Sequence, residues 1–177
     1  DPDWGTFLGH SRTRIHATPT KTGTELMTTL IGAVERSGAD ILTDAQVTDL
    51  FADADGTVRG VRVRRPDGAV EDIGCGALVL ACCGFGANPQ MIARYIPEMA
   101  EAKYHGHEGN QGEGIQWGIA LGAAAADMTA FQGLGALADP HAVLINYNIV
   151  LEGGLIVNTD GVRFADESTD ISGMGRR

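Results

Sequence analysis

Apolar residues recur at helical spacing in one early segment of the chain. The segment carries five such residues: Leu26, Met27, Leu30, Ile31 and Val34. Their spacing predicts an amphipathic α-helix. Thr22 and Glu25 form a capping-box pair at its start, and Gly38 stands where a C-terminal cap is expected.

Short apolar and β-branched runs after this helix predict strands separated by turns. The predicted strands are residues 40–43, 46–51, 58–63 and 70–73, with turns at Asp55-Gly56 and Pro66-Asp67-Gly68. Their close spacing predicts a small antiparallel meander. The continuous apolar run 77–81 is instead typical of a strand buried on both faces of a parallel sheet.

The second half of the chain combines short helices with glycine-rich loops. Asn88-Pro89 predicts a helix start, and a His- and Gly-rich loop follows at residues 105–112. Residues 154–158 and 162–164 predict two strands joined by a turn at Asp160-Gly161.

Another helix is predicted from Glu113 to about residue 125. Gly114, Gly118 and Gly122 recur every fourth residue in it and form a bare stripe along one face. Such a stripe lets a ligand or a packed neighbour approach the backbone closely. The spacing alone leaves both interpretations open.

The composition is ordinary for a globular protein, with 44% hydrophobic and 20% charged residues. The formal net charge of −10 argues against nucleic acid or an anionic membrane surface as a partner. The sequence has no run of about 18 apolar residues, so we expect no membrane span and a cytoplasmic protein. It begins at Asp1 without Met or a signal pattern, so we expect an internal fragment of a longer protein.

The three cysteines are Cys75, Cys82 and Cys83. An odd number with an adjacent pair is a poor disulfide framework, and no Cys–His spacing indicates a metal site. Cys82-Cys83 is either a redox pair or two small buried side chains. Its position at the end of an apolar run favours burial.

Four motifs, in order along the chain, resemble those of one flavoprotein family. They are residues 39–50 followed by 55–61, residues 78–85 (Leu-Val-Leu-Ala-Cys-Cys-Gly-Phe), residues 109–114 (Gly-Asn-Gln-Gly-Glu-Gly) and residues 158–167 (Asn-Thr-Asp-Gly-Val-Arg-Phe-Ala-Asp-Glu). Together they resemble the FAD-dependent fumarate reductase/succinate dehydrogenase flavoprotein family, and also the ketosteroid dehydrogenases. Three positions depart from the family pattern, because Cys82-Cys83 replace Thr-Gly and Glu113 replaces Asp.

The resemblance implies an α/β plus α+β fold. Residues 1–87 would be part of a glutathione-reductase-type FAD-binding domain that contains the antiparallel meander. Residues 88–177 would be part of an inserted substrate-binding cap domain. The implied cofactor is FAD, but the family's G-x-G-x-x-G phosphate turn is absent, so we expect this chain alone to bind FAD weakly or not at all.

The resemblance also places three parts of the chain near the cofactor. Val47 would lie by the adenine, and the turn at 81–84 would lie by the adenosine and pyrophosphate. Gly112, Glu113 and Gly114 would open a helix whose N–H groups face the flavin, where electron-rich atoms are favoured. Simple turn geometry accounts for the same residues equally well. The full set of expected cofactor-binding residues is Val47, Ala81, Cys82, Cys83, Gly84, Gly112, Glu113 and Gly114.

The family's catalytic positions are changed in this sequence. Leu134 stands at a substrate-binding His, residues 146–150 lack an expected Glu and Arg, and Ile171 stands near a proton-donating Arg. Dicarboxylate chemistry needs cations to hold two carboxylates and an acid to protonate a carbanion. We therefore expect a small-molecule substrate that is less charged than fumarate or succinate.

Tyr147 and His107 are the candidate catalytic residues. Tyr147 is chosen because ketosteroid dehydrogenases use tyrosines, and His107 because glycines surround it in a loop. The alternatives are a structural tyrosine and an exposed loop histidine. His105 and His141 are further acid–base candidates, and Arg14 with His16 resembles an R-x-H segment that related proteins carry near the flavin.

Three functional interpretations remain at this point. The first is an FAD-dependent dehydrogenase or reductase that acts on a C–C bond next to an electron-withdrawing group, with an unknown electron partner. The second is a non-catalytic module that binds a ligand or a partner, because catalytic positions of the family are lost. The third, a nicotinamide-binding domain, is disfavoured by the missing glycine-rich fingerprint.

Overall fold

The computed structural model describes residues 16–133, 137–138, 140–141, 143–145 and 148–167. The chain divides into two compact units. The described residues up to 53 form the first unit together with residues 58–76, and residues 54–57 form the second unit together with the described residues from 77 onward. Together the units have a mixed α/β architecture with antiparallel sheets.

Helix α1, Gly23–Ser37, opens the described part of the first unit and confirms the helix prediction. The Thr22 hydroxyl accepts a hydrogen bond from the Glu25 N–H at 3.3 Å, and Gly38 ends the helix in a left-handed conformation. The Glu25 carboxylate accepts hydrogen bonds from the hydroxyl and the backbone N–H of Thr20. Thr20 lies two residues before Thr22, the partner that the capping-box pattern predicts. These bonds lower the pKa of Glu25 below its ordinary value.

The apolar face of α1 lies in solvent. Its five apolar side chains are between 39% and 53% exposed: Leu26, Met27, Leu30, Ile31 and Val34. Amphipathic helices draw most of their stability from packing such a face. Helix α1 is instead held by its caps and its backbone hydrogen bonds.

Three strands form the predicted meander. They are β1 (Gln46–Ala52), β2 (Val58–Arg64) and β3 (Val70–Gly74), paired antiparallel in that order. Val63 lies opposite Val47 and is only 2% exposed, so it forms the centre of this sheet's packing. The two predicted turns, at Asp55-Gly56 and Pro66-Asp67-Gly68, connect the strands as expected.

Charged side chains pair across the outer face of the meander. Arg62 lies directly opposite Asp72 and donates two hydrogen bonds to its carboxylate, at 2.7 and 2.9 Å. The guanidinium also lies 5.2 Å from the centre of the Phe51 ring. The Arg62 hydrogen bonds lower the pKa of Asp72. These groups are well exposed, so the pair fixes strand register more than it adds stability.

Two predicted strands are wrong. Residues 40–43 and 77–81 have no regular secondary structure. The run 77–81 is also not buried, since Val79 is 87% exposed and Leu80 is 44% exposed. A strand buried on two faces needs hydrogen-bonded neighbours and covering layers. No strand among the described residues pairs with either segment.

A small apolar core organises the second unit. Helix α2, Pro89–Tyr95, begins after Asn88, whose side chain accepts a hydrogen bond from the Met91 N–H at 3.0 Å. A 3₁₀ turn follows at Pro97–Met99. Phe85, Met91 and Ile96 are each at most 8% exposed and pack together. The predicted helix start at Asn88-Pro89 is therefore confirmed.

Helix α3, Glu113–Ala120, is shorter than predicted. It ends in a Schellman motif, in which Gly122 N–H donates to Ile119 O and Ala123 N–H donates to Gly118 O, both at 2.9 Å. Gly122 has a φ of 89° there and lies outside the helix. The expected glycine stripe is accordingly reduced to Gly114 and Gly118.

The last described residues form small elements. Strands β4 (Leu137–Ala138) and β5 (Val143–Leu144) pair antiparallel, and helix α4 spans Asn148–Leu151. These three elements were not predicted. The predicted strands at 154–158 and 162–164 are reduced to one antiparallel bridge between Val157 and Arg163.

Glu167 closes the loop around that bridge. Its side chain is 3% exposed, accepts a hydrogen bond from the Ile156 N–H at 2.8 Å and pairs with Arg163 at 2.5 Å. The Arg163 and Ile156 hydrogen bonds lower the pKa of Glu167 from 4.5 to about 2. A charged Glu167 therefore stabilises this loop.

Acid should release the loop over a defined pH range. A folded-state pKa of about 2 against an ordinary value of 4.5 means that the contribution is complete above about pH 4.5 and is lost as pH falls towards 2. An NMR titration of the Glu167 carboxyl carbon is expected to give a midpoint near pH 2. Arg163→Met should raise that midpoint, because it removes the largest cause of the shift. A wild-type midpoint near 4.5 would contradict the ion pair.

Candidate functional site

The start of helix α3 lies directly on the core of the second unit. Gly112 precedes the helix, is buried and has a φ of 81°. A Cβ atom placed on it would lie 2.6 Å from Met91 Sδ and 2.7 Å from Phe85 Cβ. Only glycine fits this backbone conformation and this contact, so the position of the helix N-terminus is fixed.

Gly114 brings a second motif to the same place. A Cβ atom on Gly114 would lie 2.5 Å from Cys82 Sγ and 3.8 Å from the Leu80 side chain. The motif at 78–85 therefore touches the motif at 109–114. The glycine stripe predicted that some group approaches the helix backbone closely. At Gly114 that group is the side chain of Cys82.

Hydrogen bonds anchor the loop before α3 to residues at the start of α2. The Ala87 N–H donates to Asn110 O at 3.0 Å, and Asn88 Nδ2 donates to Gln111 O at 2.8 Å. The Asn110 amide donates to the Tyr104 hydroxyl at 2.6 Å. Hydrogen bonds to the backbone and to the side chains of this loop thus fix the position of Gly112 on the core.

Asn88 has two separable roles, as the cap of α2 and as a donor to the loop. Asn88→Ala removes both and should cost about 1–2 kcal/mol. Asn88→Asp keeps the capping oxygen but turns a carboxylate towards the Gln111 carbonyl, so it should release the loop alone. Hydrogen exchange measured by mass spectrometry should be faster in residues 108–112 of the Asn88→Asp variant. In the Asn88→Ala variant it should be faster in both this loop and α2. Equal acceleration of both segments in the Asp variant would contradict separate roles.

The predicted turn at 81–84 lies on the surface. Ala81, Cys82, Cys83 and Gly84 are all exposed, and both cysteines are free thiols. The prediction that the cysteine pair is buried is wrong, because the covering layers that a two-face-buried strand needs are not supplied by the described residues. Cys83, which replaces a glycine of the family pattern, has a left-handed φ of 59°.

Val47 belongs to the other unit. It is half-buried on β1, opposite Val63. Sheet packing is sufficient to account for an apolar residue at this position. The structure therefore groups Cys82 with Gly112, Glu113 and Gly114, and leaves Val47 in a separate unit.

The histidine candidates lie in exposed loops or turns. His107 Nδ1 accepts a hydrogen bond from the Gly109 N–H at 3.0 Å, so this ring nitrogen stabilises the loop. His16, His105 and His141 are exposed. The other candidate, Tyr147, lies outside the described residues, as do Arg14, Leu134 and Ile171.

Three residues important to this region were not identified from the sequence as such. Asn88 was predicted only as a helix cap, Tyr104 was not singled out, and Glu167 was noted only as part of a motif. Their hydrogen-bond partners lie 6 to 23 positions away along the chain. Local patterns give no signal for such pairs.

The described residues contain no cluster of three or more His, Cys, Asp or Glu that suits a metal ion. Among these residues no helix has the length and apolar character needed to cross a bilayer.

Comparison with protein families gives the decisive observation. The family described as FAD binding domain matches residues 2–176 of the chain. The chain belongs to the FAD binding domain family. This membership confirms the resemblance to the FAD-dependent fumarate reductase flavoproteins and confirms FAD as the cofactor of the family.

Curated relatives of this FAD binding domain are oxidoreductases by name. It is 30% identical over 145 residues to an NADH:fumarate oxidoreductase of Klebsiella pneumoniae, covering 82% of this chain and 16% of the relative. The chain is also 30% identical over 147 residues to the probable fumarate reductase Ifc3 of Shewanella frigidimarina, which covers 83% of this chain and 25% of that relative. It is 33% identical over 162 residues to an NADH:acrylate oxidoreductase of Vibrio harveyi, covering 87% and 16%. The chain thus spans between about a sixth and a quarter of these relatives' lengths.

Two solved structures resemble the fold. The open conformation of a flavocytochrome c3 fumarate reductase matches with a TM-score of 0.77 and 28% identity, covering 91% of this chain and 28% of that one. The 3-ketosteroid-Δ4-(5α)-dehydrogenase of Rhodococcus jostii RHA1, in complex with 4-androstene-3,17-dione, matches with a TM-score of 0.65 and 26% identity, covering 84% and 29%. The mixed α/β architecture is therefore that of flavoprotein FAD-binding folds.

Proposed function

We propose that this chain is part of an FAD-dependent oxidoreductase that acts on a C–C bond next to an electron-withdrawing group. The observation that carries the proposal is the contact between Cys82 and Gly114. It joins two segments that the family resemblance assigns independently to the cofactor, residues 81–84 and residues 112–114. FAD, when bound, supplies hydride chemistry at its flavin ring.

The residues around this contact suit a large, extended cofactor. Residues 81–84 are exposed, and a Cβ atom on Gly84 would meet nothing within 4 Å, so the backbone there is open to a ligand. The first N–H groups of α3 have no partner within the helix. Glu113 already places a carboxylate in that first turn. We therefore assign the helix terminus to neutral carbonyl or hydroxyl groups of the cofactor, because a phosphate there would face like charge.

We further propose that the chain is a piece of a larger protein, with residues 1–87 in a glutathione-reductase-type FAD domain and residues 88–177 in a substrate-binding cap. The short share of each relative that it spans supports this. So do the exposed apolar residues of α1 and of the run 77–81, which further parts of such a protein would cover. Phe85 and Met91 pack in one core, so the proposed boundary lies in a packed segment rather than in a free linker.

We propose that the substrate is a small molecule that is less charged than fumarate or succinate. It is unsaturated if the enzyme works as a reductase and saturated if it works as a dehydrogenase. The support is the loss of the family's His, Glu and Arg at Leu134, within 146–150 and at Ile171. A relative named as an NADH:acrylate oxidoreductase is consistent with a substrate of lower charge. Tyr147 and His107 remain the proposed catalytic residues, and the electron partner is unspecified.

The full-length protein that contains this chain provides the test. It is expected to carry the visible absorption bands of bound flavin, whereas the isolated 177-residue chain is expected not to retain FAD. With the flavin reduced, acrylate-type or enone substrates should reoxidise it faster than fumarate does. Preferential reoxidation by fumarate would refute the substrate proposal.

A full-length protein without flavin would favour the second candidate function. That candidate is a non-catalytic module that binds a ligand or a partner, and the lost catalytic positions are the observation in its favour. Refolding in the presence of FAD distinguishes a missing site from a lost cofactor, because an intact site should recover the flavin bands.

A further inference from the structure

We propose that Cys82 and Cys83 form a vicinal dithiol site that binds trivalent arsenicals through both sulfur atoms. Both side chains are exposed and both thiols are free. The third cysteine, Cys75, is only partly exposed and belongs to the other unit. The proposal does not depend on FAD, because it uses only these two adjacent side chains.

The spacing of the pair favours chelation over a disulfide. Adjacent Cα atoms across a trans peptide lie about 3.8 Å apart. Disulfides usually join Cα atoms about 4.4–6.8 Å apart, and shorter spans are strained and easily reduced. An arsenic atom between the two sulfurs lengthens the bridge and relieves that restriction. Residues 77–85 have no regular secondary structure, so no backbone ladder holds the two side chains apart.

The number of ligands selects the class of partner. Structural zinc sites take four protein ligands. The described residues offer no cluster of three or more metal-ligating side chains, so this pair stands as a site with two ligands. An organic arsenic(III) centre keeps its carbon substituent and needs two further bonds, which is the number that the two thiols provide.

The binding reaction is balanced without an oxidant. An arsenoxide, R–As=O, reacts with two thiols to form two As–S bonds. Both S–H bonds break, and the arsenic-bound oxygen leaves as water with the two protons. No electrons are transferred, and arsenic remains in its trivalent state.

Phenylarsine oxide is the probe for this site. After incubation of the native chain with the compound, intact mass spectrometry is expected to show one adduct, equal to the probe less one water. The adduct should survive an excess of a monothiol and be removed by a dithiol, because only a second chelator competes with two bonds. An adduct removed equally well by a monothiol would overturn the proposal.

Single-cysteine variants locate the adduct. Cys82→Ser and Cys83→Ser should each lose the monothiol-resistant adduct, whereas the matched control Cys75→Ser should keep it. Iodoacetamide labelling of the native wild-type chain checks that both thiols react. Retention of the resistant adduct in either single variant, or protection of both thiols from iodoacetamide, would show that the pair is not the site. Circular dichroism of each variant confirms that its fold is retained.

Discussion

Replacing Gly112 with alanine is expected to destabilise the second unit by about 3 kcal/mol. The first cause is the left-handed backbone, since a φ of 81° costs a residue with a Cβ about 1–2 kcal/mol. The second is overpacking, because the new methyl group would press on Met91 Sδ and Phe85 Cβ, and such insertions cost about 1–3 kcal/mol. Hydrogen exchange in peptides from α2 and α3 measures the loss locally.

Gly122→Ala is the matched control for this variant. Gly122 has a similar φ of 89°, but a Cβ atom on it would meet nothing within 4 Å. It should therefore show only the backbone cost of about 1–2 kcal/mol. If the two variants lost the same stability, the tight packing of Gly112 on the core would be disproved, and with it the fixed position of the α3 N-terminus.

Elements with complete local signals were predictable from the sequence. Helix α1 has its cap, its apolar period and its terminal glycine within one short segment. The cap and the glycine act where predicted, although the apolar face stays exposed. The meander has two strong turns between β-branched runs, and neighbouring strands in sequence pair with each other. In both cases each residue's partners lie nearby in the chain, so a local pattern contains the needed information.

The buried strand at 77–81 could not be predicted from its pattern alone. An apolar run indicates a preference for burial, but burial requires a partner that the run itself does not specify. Val79 is 87% exposed because the described residues supply none. The same reasoning applies to residues 40–43. A prediction of burial is therefore conditional on the rest of the fold, whereas a prediction of a cap or a turn is not.

The candidate site was predictable as a set of segments but not as an arrangement. The family resemblance selected Cys82 and Gly114, and the structure brings them into contact. The resemblance could not indicate that Asn88 and Tyr104 hold the intervening loop, because their hydrogen bonds join residues 23 and 6 positions apart. Departures from the family pattern were more informative here than agreements, since the exposed thiols of Cys82 and Cys83 arise from one of them.

Gly60→Ala is expected to disrupt the pairing of β2 with β3 and to cost about 3 kcal/mol. Gly60 is buried in β2 and lies directly opposite Gly74. A Cβ atom on Gly60 would collide with the carbonyl oxygen of Ile73 and would lie 3.2 Å from Gly74 Cα. Both obstacles are backbone atoms of the paired strand, so no side-chain rotation relieves the clash. Faster hydrogen exchange of the β2 and β3 amides should report the loss.

Gly74→Ala tests the same strand pair from the opposite side. A Cβ atom on Gly74 would have Arg59 O as its nearest neighbour, at 3.8 Å, which is an ordinary contact. Alanine should stabilise this strand position by about 0.5–1 kcal/mol, because glycine loses more backbone freedom on folding. The two substitutions therefore differ in sign although their residues face each other. Similar exchange rates in both variants would mean that the register of β2 and β3 is not the one described.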